Sequence, residues 1–260
     1  MDAGSVRGCA VPDLAVVIAG HAPAEQVRRC VDSIRVDSIR ADPGAVAVVH
    51  AAGNPAPPAT PGVTALDLGE HLGRPAAVNR AVAELPAEVE FVLVSEPGVI
   101  WDNGAVAALL AAARATPRAG ALVPELRGAT VPGLPGHWRG DALLTRLDPG
   151  ALAPGAPGPA VLVRRTALES TGGWDARLPV PFADADLADR LDAAGWLRVA
   201  VPGAAAVRDA VGDIPESADE RHAGARRLVR GRTRGVARAA AGAVLAARRA
   251  FGPRAPGPTV

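Results

Sequence analysis

Three features that could do chemistry together follow one another between residues 158 and 191. An apolar stretch, Gly158-Pro-Ala-Val-Leu-Val-Arg-Arg165, ends in two arginines, and Thr171-Gly-Gly-Trp-Asp175 places an aromatic ring and a carboxylate after a Gly-Gly turn. A short acidic cluster, Ala183-Asp-Ala-Asp-Leu-Ala-Asp-Arg-Leu191, then opens a helical pattern. Carboxylates accept protons and guanidinium groups bind phosphate oxygens. This layout is typical of the floor of an active site.

Each of these residues also has a purely structural interpretation. Asp184 and Asp186 could cap the helix that follows them. Arg164 and Arg165 could form ordinary salt bridges with the acidic cluster. Trp174 could stack on a sugar ring, but it could equally pack on the core as a lid residue. The local sequence alone leaves both interpretations open.

Strand and helix signals alternate through the first half of the chain. Continuous apolar runs of the kind found in buried parallel strands occur at residues 14–19, 45–49, 63–66, 91–94 and 119–123. Helical patterns occur between them at residues 75–85 and 104–113. This alternation predicts an α/β domain with a mostly parallel sheet flanked by helices. Ligands of such sheets bind beyond the carboxyl ends of the strands.

Charge is distributed unevenly along the 260 residues. The net charge is only +1, yet ten of the 28 basic residues follow Glu220 and no acidic residue does. We therefore predict a basic helical tail over residues 213–251, ahead of a disordered Pro/Gly-rich end at 252–260. Such a tail is suited to phosphate, anionic lipid or nucleic acid. A solvated arginine-rich helix is an equal alternative.

Several classes of protein are disfavoured by what the sequence lacks. Cys9 and Cys30 have no disulfide-framework or metal-ligand spacing, which indicates free thiols in a reducing compartment. The N-terminus shows no export signal, and the uncharged run at residues 239–247 is much shorter than the roughly 20 residues of a membrane span. With three Phe, four Trp and no Tyr, few rings are available to stack on nucleic acid. We expect a cytoplasmic protein, at most peripheral on the inner face of the membrane.

The motifs between residues 158 and 209 closely resemble the acceptor half of inverting family 2 glycosyltransferases. That family usually has an apolar strand, Arg-Arg, Gly-Gly-Phe-Asp-Glu and then Glu-Asp-x-Asp-Leu-x-x-Arg-Leu. Here Trp174 stands for the Phe and Ala183 for the first Glu. The resemblance implies a GT-A-type nucleotide-diphospho-sugar transferase fold.

The resemblance covers about residues 12–212, after an N-terminal segment at 1–11. It implies a donor half at 12–124 and an acceptor half at 125–212. The implied reaction is inverting transfer of a hexosyl or deoxyhexosyl group from a nucleotide-diphospho-sugar to a hydroxyl of a glycan, lipid-linked or small-molecule acceptor.

The resemblance also implies roles for individual residues of the acceptor half. Asp184 would be the catalytic base that takes the proton of the acceptor hydroxyl, a contribution of roughly 10²- to 10⁴-fold in rate. The implied acceptor-binding residues are Arg164, Arg165, Trp174, Asp175 and Asp186.

The donor half matches the family less cleanly. His50 ends a strand where the family has an Asp that contacts the nucleotide base, and a solvated loop histidine is the alternative. Gly73 would let backbone approach a diphosphate, which Arg74 or Asn79 could bond, although a helix start opened by Gly and Pro explains this segment equally well. The implied donor-binding residues are Ala19, His50, Gly73, Arg74, Asn79 and Glu96.

The family's metal motif, Asp-x-Asp, corresponds to Glu96 and a glycine two residues later, so one carboxylate remains. The family's late metal-binding His aligns with Asp209. Glu96 with Asp209 therefore predicts a relocated site for Mg²⁺ or Mn²⁺. Arginines, either Arg208 or the Arg164-Arg165 pair, could instead supply positive charge at the diphosphate.

Two competing functions remain open from the sequence. A catalytically weak or inactive relative could bind nucleotide, glycan or a partner enzyme, because acidic positions of the family are lost at Gly98 and Ala183. A nucleic-acid binder that uses the arginine-rich tail is the weaker alternative.

Overall fold

The structure is a computed structural model. It describes residues 13–41, 46–52, 59, 63–69, 72–128, 158–208, 223–224, 226–228, 230, 242–243 and 246. Within these residues, no helix is both long enough and apolar enough to cross a bilayer.

The main elements of the described residues are eight strands and five helices. The strands are β1 (Leu14–Ala19), β2 (Val46–Ala52), β3 (Thr64–Asp67), β4 (Phe91–Ser95), β5 (Val99–Trp101), β6 (Ala119–Gly128), β7 (Ala160–Arg164) and β8 (Leu197–Arg208). The helices are α1 (Ala24–Ala41), α2 (Gly73–Ala83), α3 (Ala105–Ala115), α4 (Arg165–Thr171) and α5 (Val180–Ala193).

The eight strands form one sheet in the order β3-β2-β1-β4-β7-β6-β8-β5. The first four strands in this order run parallel. By contrast, β7 is antiparallel to both of its neighbours, β4 and β6. All six residues of β1 are buried, as expected for a strand covered by helices on both faces. The predicted α/β architecture is thus confirmed.

The carboxyl ends of β1, β2 and β4 meet at one edge of the sheet, here called the ligand edge. Ile18 pairs with His50 on one side and with Ser95 on the other. Because β7 runs in the opposite direction, its first residue, Ala160, pairs with Ser95, whereas its last residue, Arg164, lies at the far edge.

Side chains of β1 alternate between two apolar layers, one on each face of the sheet. Ala15 and Val17 pack in a layer that includes residues of α2 and α5. Val16 and Ile18 pack in the opposite layer with residues of α1 and α3. This alternation follows from the two-residue period of a strand.

The start of α5 differs from the expected one. The helix begins at Val180 with Pro179 at its N-cap position, and no side chain caps it. Asp184 and Asp186 therefore lie inside the helix, and the interpretation that they cap it is wrong. Pro supplies the start because its fixed φ suits a first helical turn.

Two glycines turn the chain between α4 and α5. Gly172 and Gly173 have left-handed φ values of 75° and 74°. Behind the turn, the Asn79 amide holds the backbone of Trp174: Nδ2 donates to the Trp174 carbonyl at 2.7 Å, and Oδ1 accepts from the Trp174 N–H at 3.0 Å. A Cβ on Gly173 would lie 2.6 Å from Asn79 Oδ1, whereas one on Gly172 would meet nothing within 4 Å.

This pair of glycines offers a matched test of the Asn79 contact. Either substitution by Ala incurs the cost of left-handed backbone, about 1–2 kcal/mol. Only Gly173→Ala also displaces the Asn79 amide, so we expect it to lower the free energy of unfolding by about 1 kcal/mol more than Gly172→Ala. Chemical denaturation measures both. Equal losses would show that the Asn79 contact does not constrain the turn.

Candidate active site

Four buried charged side chains lie near the ligand edge and form a chain of ion pairs. Arg74 on α2, Glu96 after β4, Asp184 on α5 and Arg208 at the end of β8 are each at most 5% exposed. Arg208 pairs with Glu96, Glu96 with Arg74, and Arg74 with Asp184. We call these four residues the buried ion-pair network. Its two positive and two negative charges balance, as buried charges must.

Asp184 is held at both carboxylate oxygens. Arg74 Nη2 lies 2.5 Å from Oδ2, and the Trp174 indole Nε1 donates to Oδ1 at 2.9 Å. Burial raises the pKa of Asp184 to about 6, although Arg74 and the indole hydrogen bond act in the opposite direction. The carboxylate is thus ionised at neutral pH and has a pKa close enough to 7 to accept a proton.

Glu96 does not fit the role of a metal ligand. Its Oε2 pairs with Arg208 Nη2, and its Oε1 lies 3.7 Å from Arg74 Nε. A carboxylate that contacts two guanidinium groups offers little negative charge to a divalent cation, which the same two groups would repel. Among the described residues, no group of three or more His, Cys, Asp or Glu could hold a metal ion. The predicted partner, Asp209, lies outside the described residues, as does the basic tail for the most part.

Two residues that were predicted to bind the nucleotide-sugar donor, Ala19 and His50, are buried at the ligand edge. Ala19 and His50 are both fully buried, so the solvated alternative for His50 is wrong. His50 Nε2 lies 3.0 Å from the Gly20 carbonyl. Burial lowers the pKa of His50, which keeps the ring neutral. Because a carbonyl can only accept, Nε2 carries the proton and Nδ1 is left as an acceptor.

The segment at the start of α2 contacts Asp184 and the turn before α5. Gly73 begins the helix with a left-handed φ of 72°. Arg74 points inward to Asp184 and donates from Nη1 to the Gly158 carbonyl at 3.0 Å. Both ends of the Asn79 amide are used by Trp174. A bond from Asn79 to a diphosphate would have to use its second Nδ2 hydrogen, and it stays a prediction.

Arg164 and Arg165 lie at the opposite edge of the sheet, so the prediction that they bind the acceptor is wrong. Arg164 Nη1 pairs with Glu90, and its Nη2 donates to the Ala113 carbonyl at 2.7 Å. Arg165 pairs with Glu169 at 2.9 Å. These partners also differ from the acidic cluster that the alternative interpretation proposed. The antiparallel direction of β7 is the reason for both errors.

Trp174 is a core residue with a polar contact to Asp184. It is 2% exposed, which removes the predicted stacking surface for a sugar ring and agrees with the alternative of packing on the core. Its indole N–H is the donor to Asp184 described above. The function of this aromatic residue is thus to hold a carboxylate, which the Gly-Gly-Trp pattern by itself does not indicate.

A groove of about 920 Å³ opens beside this turn. Two predicted acceptor residues, Asp175 and Asp186, line it together with Arg177 and Arg190. Arg177 bonds both oxygens of Asp175, at 2.7 and 2.8 Å, and lowers the pKa of that carboxyl. Arg190 Nε donates to Asp186 at 2.8 Å. Neither arginine was predicted as a site residue. Their spacing was the available signal, because Arg177 lies two residues after Asp175 and Arg190 lies four residues after Asp186.

Sequence comparison identifies relatives for part of the chain. No family model matches it. The N-acetylglucosaminyl-diphospho-decaprenol L-rhamnosyltransferases of two strains of Mycobacterium tuberculosis, CDC 1551 / Oshkosh and ATCC 25618 / H37Rv, are 38% identical over 177 residues. The match covers 55% of this chain and 58% of each relative. The chain thus spans little more than half the length of the curated relatives that it matches.

Solved structures share the fold at low sequence identity. A mannosyltransferase from Pyrobaculum calidifontis in complex with GDP-Man and Mn²⁺ is 18% identical, with a TM-score of 0.55 over 94% of this chain and 76% of the other. TarS residues 1–349 from S. aureus are 12% identical, with a TM-score of 0.53 over 92% and 72%. GalNAc-T7 with UDP, GalNAc and Mn²⁺ is 12% identical, with a TM-score of 0.57 over 84% and 48%.

The two comparisons agree with each other and with the sequence motifs. The structural neighbours are glycosyltransferases, and at these identities they establish the fold alone. The chain thus has the GT-A fold of these structures, and over 177 residues it is similar to the rhamnosyltransferases. Both findings agree with the resemblance drawn from the motifs.

Proposed function

We propose that this protein transfers a sugar from a nucleotide-diphospho-sugar to a hydroxyl of a lipid-linked glycan, with inversion at the anomeric carbon. The observation that carries this proposal is the buried carboxylate of Asp184, held at the ligand edge with a pKa of about 6. The names of the relatives support a deoxyhexosyl donor and an acceptor sugar joined to an isoprenoid through a diphosphate.

Asp184 acts as the general base of this reaction. As the acceptor oxygen attacks the anomeric carbon, its proton passes to the carboxylate, and the bond to the diphosphate breaks with its electron pair on the leaving oxygen. Trp174 and Arg74 keep the carboxylate in one orientation before the proton arrives, so little reorganisation is needed at the moment of transfer.

Positive charge for the leaving diphosphate comes from arginine in this proposal. Arg208 lies at the end of β8, and its Nε and Nη1 are buried with no hydrogen-bond partner among the described residues. A guanidinium group binds phosphate oxygens at more than one N–H. No step is assigned to a metal ion at Glu96, because that carboxylate already faces two guanidinium groups.

His50 gives the donor site a preference among nucleotide bases. Its Nδ1 is buried, accepts no hydrogen bond from the described residues, and can accept one from an imide N–H. Uracil and thymine carry an imide N–H and guanine the comparable lactam N–H, whereas neutral cytosine has no ring N–H. The cytoplasmic face of a membrane, where such donors and an isoprenoid-linked acceptor meet, is the proposed site of action.

Replacing Asp184 tests its assignment as the general base. Asp184→Asn keeps an oxygen for the Trp174 indole but cannot accept a proton. We expect transfer to an N-acetylglucosaminyl-diphospho-prenol acceptor to fall roughly 10²- to 10⁴-fold. Nucleotide affinity, measured by calorimetry, should change by less than about threefold.

Asp192→Asn is the matched control for that variant. Asp192 is on the same helix but pairs with Arg198 at its far end, with 49% of its side chain exposed. The transfer activity of the Asp192→Asn variant should equal that of the parent protein. If Asp184→Asn retains full activity while folded, Asp184 is not the base.

The pH profile provides an independent check on the same residue. Only ionised Asp184 accepts a proton, and its pKa is raised to about 6. Activity should therefore be constant at neutral pH and fall as the pH decreases through about 6, by about tenfold per pH unit below it. A profile that stays flat down to pH 4.5, in an enzyme shown to remain folded, would exclude this carboxylate.

Nucleotide titration tests the donor site. We expect UDP, dTDP or GDP to bind at least about tenfold more tightly than CDP, because only the first three present a ring N–H to His50, whereas cytosine can donate only from its exocyclic amino group. Addition of Mn²⁺ or of EDTA should change these affinities by less than about threefold. Binding that requires Mn²⁺ would contradict the arginine assignment. Binding without any transfer would favour an inactive, ligand-binding relative.

A further inference from the structure

A short helical stretch from the arginine-rich part of the chain packs against α5. It comprises residues 223–224, 226–228 and 230, here called the basic segment. Leu228 is 3% exposed and belongs to the apolar layer that contains α5. Gly224 is buried, and a Cβ there would lie 2.6 Å from Pro179 Cδ and 2.8 Å from Phe182 Cδ2. The basic segment is therefore docked closely on the first turn of the helix that carries Asp184.

This docking brings exposed arginines to the groove beside the base. Arg226, Arg227 and Arg230 are exposed. Together with Arg177 they line a groove of about 410 Å³. The 920 Å³ groove described above shares three of these arginines, all except Arg226, and continues to Trp174. The two grooves thus form one continuous surface that leads from the basic segment toward Asp184.

The balance of charge on this surface favours an anion. Its lining contains five arginines and two aspartates, a net charge of +3. The aspartates already contact Arg177 and Arg190, and Arg227 Nε is 3.8 Å from Asp175. Arg226 and Arg230 are four residues apart, a spacing at which like charges on a helix repel each other. At this spacing a multivalent anion can contact both guanidinium groups.

We propose that this surface binds the diphosphate of the acceptor, with Arg226 and Arg230 as its principal ligands. The proposal rests on the proposed function, because it names the residues that hold the lipid-linked substrate of that reaction. A diphosphate offers several oxygens to guanidinium groups, which bind them in pairs. With the diphosphate on the basic segment, the sugar attached to it extends along the groove toward Trp174 and the base.

A diphosphate is favoured over a membrane surface by the shape of the site. The arginines line a concave groove that also contains carboxylates, and a bilayer of anionic lipid presents a flat surface that those carboxylates would oppose. The groove also reaches Trp174, whose indole contacts Asp184, so the basic segment lies on the side of α5 that faces the proposed base.

Geranyl diphosphate, a short isoprenoid diphosphate, is the probe, and its binding to the full chain is measured by calorimetry. We expect the double variant Arg226→Gln/Arg230→Gln to bind it at least about tenfold more weakly than the parent. UDP or dTDP affinity should change by less than about twofold, because the donor site is separate. The control Arg28→Gln/Arg114→Gln removes the same charge from exposed side chains elsewhere and should bind both probes like the parent.

Gly224→Val tests the location of the site without removing any charge. Its side chain would clash with Pro179 and Phe182 and displace the basic segment. We expect it to weaken geranyl diphosphate binding while UDP or dTDP binding persists, which also reports that the domain is folded.

Four results would overturn the inference. If the control Arg28→Gln/Arg114→Gln binds geranyl diphosphate as weakly as the test variant does, long-range charge alone explains the effect. If Arg226→Gln/Arg230→Gln also loses nucleotide binding, the two arginines serve the donor. Loss of binding to phosphatidylglycerol vesicles, with geranyl diphosphate binding retained, would identify a membrane-docking surface. A parent that binds nucleotide but not geranyl diphosphate would disprove the acceptor site alone, whereas one that binds no nucleotide would disprove the proposed function.

Discussion

The arrangement of the site depends on charge balance among four side chains that water scarcely reaches. Arg208, Glu96, Arg74 and Asp184 alternate in sign along the buried ion-pair network. Loss of one member would leave a buried charge uncompensated, at a cost of about 3–5 kcal/mol. Because the four come from α2, α5, the end of β8 and the turn after β4, the network also fixes these elements relative to one another. The carboxylate of Asp184 is thus held by the fold as a whole and not by its own helix alone.

The same balance sets the pKa of Asp184, the proposed base. Burial alone favours the neutral acid, while Arg74 and the Trp174 indole favour the ionised form. The result is a pKa of about 6, between the values that either influence alone would give. Glu96, which the sequence suggested as a metal ligand, instead serves as the counter-charge between two arginines. Glu96 thus helps to hold Arg74, which in turn pairs with Asp184.

Sequence patterns were sufficient for the parallel half of the sheet and for locating the buried carboxylate of Asp184. The runs at β1 and β4 are apolar throughout, because both faces are covered, and the acidic motif located Asp184 at the ligand edge. Arg164 could not be placed, since an apolar run carries no information on strand direction and β7 is antiparallel to its neighbours. The pattern also missed β8, in which Pro202 and Gly203 interrupt the strand signal. Long-range contacts such as Trp174 to Asp184 depend on packing that no local pattern contains.

The close contact of Gly224 with α5 shows that the packed core extends beyond the region that resembles the family. The resemblance to the family stops near residue 212, yet Leu228 fills space in the same apolar layer as Phe182, two residues before Asp184. A protein cut after residue 212 would expose that layer to water and lose the packing of Gly224 and Leu228 beside the helix that carries Asp184. Truncation of the arginine-rich region therefore removes part of the hydrophobic core as well as charge.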